Sequence, residues 1–180
     1  MSIRTKYETE LESVFNKLVK MCHDVELAIE KSVTALITRD DELARNVMRD
    51  DKNVDASERE IEQDCLKILL MEHPVATDFR EVSAALKMIT DLERIGDQAA
   101  DISEISLQFG KQKFIKKPEH IEMMAKIVIG MVKDGVHSFI NRDKTAAKAL
   151  DSRDDRVDEL FETVKTELVA LIRNDPASAD

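Results

Sequence analysis

Glycine and proline are scarce in this chain: four and three in 180 residues. So few turn formers leave room for only a few breaks between long helices and argue against a strand-and-turn architecture. Tryptophan is absent and tyrosine occurs once, beside six phenylalanines, so the core must be built from Leu, Ile, Val, Met and Ala. Two cysteines, Cys22 and Cys65, fit neither a disulfide framework nor a zinc cluster and read as reduced core thiols. Basic charge is in deficit. The formal net charge of −10 argues against sequence-independent nucleic-acid binding, which needs Lys and Arg to replace counterions. It also argues against direct attraction to anionic lipid, so any membrane association is expected to be indirect. No apolar run reaches the 18 residues that suggest a membrane span, and residues 1–12 lack the apolar region of a signal peptide. A cytoplasmic location is the default expectation.

What is present is helical periodicity. Leu11, Val14, Leu18, Met21/Cys22, Val25, Ile29, Val33 and Leu36 form a heptad-like stripe that predicts a helix over about residues 9–37. A second is predicted over about 41–71, with Leu43, Val47, Val54, Ile61, Cys65, Ile68 and Leu69 inward and its charge-dense middle, Arg49 to Asp64, mostly solvated. Pro74 breaks the chain, and a third helix follows over about 76–109, its stripe being Met88, Leu92, Ile95, Ala99, Ile102 and Phe109. A connector with Lys111, Lys113, Lys116 and Lys117 leads to a fourth helix over about 119–140 and a fifth over about 144–173. A solvated loop is the simpler reading of those lysines; contact with phosphate or an acidic partner is the other. Long helices with short connections suit an antiparallel bundle.

The chain also repeats itself with an offset of 103 residues. Met21 matches Met124, Val25 matches Val128, Val33 matches Val136, and Arg39-Asp40 matches Arg142-Asp143. Asp51 matches Asp154, and Val54-Asp55 matches Val157-Asp158. The offset then slips by one, so that Pro74 to Asp78 aligns with Pro176 to Asp180. The expected organisation is a first three-helix repeat (1–110), the basic connector (111–118), and the first two helices of a second repeat (119–180). In the first copy Asp78 leads into a third helix; in the second the chain reaches Asp180 where that helix would begin. The second half is thus expected to carry an apolar groove without its third wall, filled by a partner or a swapped helix, or else to be poorly ordered.

The chemistry concentrates on the third helix. Glu93, Asp97 and Asp101 are spaced by four, and Glu104 follows three later, which stacks the four carboxylates along one helical face. At about 100° per residue they fall within about 80° of one another, away from the main apolar stripe. Gly96 and Ala100 lie beside them and are small enough for a helix or ligand to approach. Like charges at this spacing repel. A cation would offset the cost, since carboxylates suit magnesium, calcium, manganese or iron, and zinc accepts them alongside His or Cys. An acidic, solvated outer face is the other reading. Arg94 stands three residues from both Asp91 and Asp97, within reach of either. His23, His73, His120 and His137 are scattered and read as surface or interface residues, and no Gly-rich phosphate loop or nucleophile elbow occurs.

The run Asp91-Leu92-Glu93-Arg94-Ile95-Gly96-Asp97, preceded by Leu86-Lys87-Met88-Ile89, resembles the signature of the PhoU family of phosphate-uptake regulators. Arg39-Asp40, Arg142-Asp143 and His73-Pro74-Val75-Ala76-Thr77-Asp78-Phe79-Arg80 extend the resemblance over nearly the whole chain. It implies an all-α fold of two tandem three-helix repeats, here without the last helix of the second. It implies no enzymatic activity, and negative regulation of phosphate transport and homeostasis. The implied partners are a phosphate ABC transporter ATPase and a sensor histidine kinase, with a homodimer as the assembly. It also implies iron, zinc or another divalent cation at Glu93, Asp97 and Asp101, with Arg94 and Glu104 facing a partner. Gln98 stands where relatives often carry His, which removes that imidazole. With only one copy of the motif helix, cation affinity is expected to be weaker than the motif alone suggests. The alternatives are a carboxylate-rich metal-binding or storage bundle, which would need a Glu-x-x-His motif that this chain lacks, and a structural helical adaptor.

Overall fold

A computed structural model describes residues 3–110 and 114–175. Among them every regular element is a helix: α1 (Ile3–Thr38), α2 (Asp41–Met71), α3 (Thr77–Gln108), α4 (Glu119–Ile140), α5 (Lys144–Lys148) and α6 (Asp151–Asn174). The first three form an up-down-up bundle. Its core is a column of α1 residues, among them Val14, Leu18, Met21 and Val25, packed against Ile61, Cys65 and Ile68 of α2 and Val82, Ala85 and Ile89 of α3. Both cysteines are buried and free, as their positions on the apolar faces predict.

On α2 and α3 the buried seam positions recur at steps of three, four or seven. On α3 they run Val82, Ala85, Ile89, Leu92, Gly96, Ala99, Ser103 and Ser106. This is a coiled-coil-like seam, and it lies beside the predicted stripe. Leu92 and Ala99 belong to it, whereas Met88 and Ile95 are half-buried toward α4, and Phe109 is exposed. The seam's small residues lacked the apolar signal that would have marked them.

α4 runs antiparallel to α1 and is packed against it. Phe15 and Phe139 meet edge-on at 5.6 Å, and the Cys22 thiol faces the Val132 carbonyl at 3.8 Å. The fifth helix is not continuous. It breaks at Ala149-Leu150 into α5 and α6, both packed on α4, and together they take the place that α2 holds in the first repeat. No proline or glycine marks that break. The match to Pro176–Asp180 and the Lys111 and Lys113 positions lie outside the described residues. Lys116 is not simply solvated: its ammonium reaches Glu167 of α6 at 2.5 Å.

The repeat is clearest at two turns. α1 ends as the Asp40 N–H donates to the Ala35 carbonyl at 3.1 Å; α4 ends as the Asp143 N–H donates to the Ser138 carbonyl at 2.8 Å. Both closures require a left-handed residue, and both use arginine: Arg39 (φ 59°) and Arg142 (φ 53°). The aspartate that follows each caps the next helix, Asp40 accepting from the Leu43 N–H at 2.9 Å and Asp143 from Thr145 and Ala146 at 3.0 Å.

Candidate metal centre

The seam of α2 carries two acids where apolar residues would be expected. Ala44, Val47, Val54, Ile61, Cys65 and Ile68 are buried at alternating steps. Asp51 and Glu58 fall on the two remaining positions of that series, half-buried and turned toward α3. The middle of α2 is mostly exposed, as its charge density suggests, but Asp51, Asp55 and Glu58 within it are half-buried. Directly opposite lies Gly96. A Cβ there would stand 3.2 Å from Val54 Cγ1 and 3.3 Å from Asp51 Oδ1, so glycine lets the two helices close. Nearly two turns away the Thr90 hydroxyl lies within hydrogen-bond distance of Glu58, at 3.2 Å.

This closure brings together Asp51 and Asp55 of α2 and Asp97 of α3. One carboxylate oxygen from each lies within 4.8 Å of the other two. Asp51 and Asp55 are half-buried and Asp97 is exposed. Only Asp55 has a basic partner within ion-pair distance, Arg59 at 3.3 Å; among the described residues neither Asp51 nor Asp97 has one. Burial first, then the charges of Asp97 and Asp55, pushes the Asp51 carboxyl above its ordinary range. Glu93 is raised in the same way, by burial and then by Asp97, Glu58, Asp55 and Asp51.

The predicted stripe divides accordingly. Asp97 is at the centre. Glu93 borders it on one side, and Asp101, exposed one turn along, acts on Asp51 from the other. Glu104 is exposed and takes no part in the cluster. Arg94 is exposed and turns to Asp91, 3.8 Å away, rather than to Asp97. Of the stripe, Asp97, Asp101 and Glu104 are exposed and Glu93 alone is half-buried; Asp97 and Glu93 border the α2–α3 seam. Asp51, Asp55 and Glu58 were not among the candidates. Two signals marked them: acids standing in an apolar series at 51 and 58, and the survival of Asp51 and Asp55 in the second copy as Asp154 and Asp158.

The donor set fits a hard cation. Two oxygens on opposite sides of calcium, at about 2.4 Å each, stand about 4.8 Å apart; magnesium would draw them in by about 0.6–0.8 Å. No His or Cys belongs to the cluster, so the nitrogen and sulfur ligands that zinc favours are missing from it. Three carboxylates leave part of the coordination shell to water.

The PhoU domain model matches residues 18–106 and 121–180, one stretch in each repeat. The chain belongs to the PhoU family. It is 36% identical over 167 residues to the phosphate-specific transport system accessory protein PhoU homolog of Aquifex aeolicus, covering 93% of this chain and 76% of that one. It is 30% identical over 173 residues to the accessory protein PhoU of Escherichia coli K12, covering 96% and 72%. The crystal structure of PhoU from Pseudomonas aeruginosa superposes with a TM-score of 0.89 at 30% identity, covering 95% of this chain and 82% of that one. The regulatory protein PhoU from Streptococcus pneumoniae, at 23% identity and a TM-score of 0.87 over 94% and 80%, shares the fold. The PhoU family comprises accessory and regulatory proteins, and the chain is not an enzyme. Among the described residues no helix is long and apolar enough to cross a membrane.

Proposed function

We propose that this chain regulates bacterial phosphate uptake from the cytoplasmic side, restraining a phosphate ABC transporter and its sensor histidine kinase through protein–protein contacts. The names borne by its relatives support the phosphate-transport role. A divalent cation between α2 and α3, held by Asp51, Asp55 and Asp97 with Glu93 and Asp101 at its flanks, sets the charge and closeness of those helices. The observation that carries this part is the set of three carboxylates converging across a glycine contact with one exposed arginine to offset them. When bound, the cation would offset two of the negative charges along the seam. The protein's own residues then do the work: Gly96 admits α2, Thr90 holds Glu58, and the acidic face presented to a partner changes from repulsive to closed. The two repeats act as separate presenting surfaces joined by the basic connector, and a homodimer doubles them.

Affinity capture tests this reading. The full chain, with manganese and separately with EDTA at low salt, is expected to retain both the transporter's ATPase subunit and the cytoplasmic part of the kinase, more strongly with the cation. Asp51→Asn together with Asp97→Asn should remove the dependence on the cation. Failure to retain either partner under both conditions would overturn the proposal.

A further inference from the structure

The turn between α2 and α3 holds five large apolar side chains in the open. Leu66, Leu70, Met71, Val75 and Phe79 are between 46% and 73% exposed. Leu66 and Leu70 stand one turn apart on α2 and share a face. Continuing the antiparallel pairing of Gly96 with Val54, and of Thr90 with Glu58, brings Phe79 beside Leu70. Met71 is the last residue of α2, and Val75 lies just before α3, so both belong to the same chain reversal. Single exposed apolar residues need no explanation; five in one short stretch of chain do.

Charge at this turn is sorted by depth. From Leu66 to Arg80 the exposed charged side chains are Lys67 and Arg80, both basic. The two acids of that stretch are turned inward. Glu72 has 4% of its side chain exposed, beneath the Lys6 ammonium, and Asp78 is half-buried. Glu81, the next acid, is nearly buried under Arg142, whose own side chain is 70% exposed. Glu10, which lies between Lys6 and Lys67, is 20% exposed. A chain of net charge −10 thus presents cations at this turn and keeps the neighbouring carboxylates beneath them. The expectation that lipid is approached only indirectly rests on whole-chain charge, which does not describe this turn.

We infer that the α2–α3 turn is a docking tip for an anionic bilayer. Leu70, Met71, Val75 and Phe79 enter the interfacial region, as the apolar side of a surface-bound segment does. Lys67 and Arg80, with Lys6 and Arg142 beside them, meet the headgroup phosphates, their long stems holding the charges at that depth. A chain reversal at the end of a bundle projects its side chains outward, which suits a deformable lipid surface. The acidic seam does not oppose this. Asp51 stands twenty helical residues before Met71, and Asp97 twenty after Thr77, about 30 Å along the axis. That is about three screening lengths at 0.1 M salt, so its repulsion from the lipid is weak.

Co-sedimentation of the full chain with vesicles of phosphatidylglycerol and phosphatidylcholine in equal parts tests the inference. EDTA is present, so that no cation bridges the acidic seam to the lipid. No transporter or kinase is present, so the result stands apart from whether those partners bind. Saturable binding is expected, weakened by high salt and lost on phosphatidylcholine alone. Leu70→Ser with Val75→Ser should weaken it about tenfold or more, and Arg80→Gln about fivefold. These side chains are exposed, so the fold should survive, and circular dichroism reports whether it does. Met48→Ser, toward the other end of α2, should change nothing. Phe79→Trp supplies a reporter in a chain without tryptophan, and its emission should shift to the blue on the anionic vesicles. No binding, or binding that the double serine variant and Arg80→Gln leave unchanged, would overturn the inference. So would a wild-type dimer that the double serine variant dissociates while vesicles are not bound, because the tip would then be a protein interface.

Discussion

Replacing Asp51 by asparagine keeps the shape and hydrogen-bonding reach of the side chain and removes one of three charges that meet within 4.8 Å. Two unit charges at that distance repel by about 0.9 kcal/mol in bulk water and about 3.5 at an effective dielectric of 20. Asp97 is exposed and the other two are half-buried, so the lower end applies, about 1 kcal/mol for each of the two pairs that Asp51 makes. The cation-free variant should therefore be more stable than the parent by about 1–2 kcal/mol, at about 2–4 °C in Tm for each kcal/mol in a chain of this length. Thermal melts at 222 nm in EDTA and low salt measure this, and 0.5 M salt should shrink the difference. The sign with pH follows. Asp51 and Glu93 hold protons more readily folded than unfolded, so the parent gains stability as pH falls from above their raised values toward the ordinary carboxylate range. The variant should show less of that gain. A cation-free Asp51→Asn protein that melts at or below the parent, with an unchanged pH profile, would refute the repulsion argument.

Gly96→Leu forces α2 and α3 apart, because even a Cβ meets Val54 at 3.2 Å; a loss of about 1–3 kcal/mol in urea titration is expected, with no rescue by cations. Arg142→Ala strands Glu81, whose side chain is 11% exposed, and should cost about 1–3 kcal/mol, partly restored when Glu81→Gln is added. Burial pushes the Cys22 thiol up to about 12 and Cys65 up to about 11. Both should resist a thiol reagent at pH 8 in the native chain and react once it is unfolded.

Much of this architecture could be read before any coordinates. The heptad stripe of α1, the Pro74 break and the tandem repeat specify long antiparallel helices and their order, because burying an apolar stripe is the strongest demand on a helix. Three features resisted reading. The break at Ala149-Leu150 carries no proline or glycine to announce it. The α3 seam is built of Gly96, Ala99, Ser103 and Ser106, which pack by being small and so carry little hydrophobic signal. The α2 half of the acidic cluster was hidden by its charge, since Asp51 and Glu58 look like surface until a second helix is laid over them. Asp97 and Glu93 were recognisable from spacing on one helix; that they face Asp51 and Asp55 is a tertiary fact. Asp101 and Glu104 share the spacing but lie successively farther along: Asp101 still acts on Asp51, and neither belongs to the cluster.

The central claim is that one hard divalent cation sits between α2 and α3 on Asp51, Asp55 and Asp97. Calorimetric titration of manganese into the EDTA-treated, dialysed chain tests it most directly. One cation per chain is predicted, with binding abolished in Asp51→Asn/Asp97→Asn and retained in Glu104→Gln. No binding, or binding that survives the double substitution, would contradict the account.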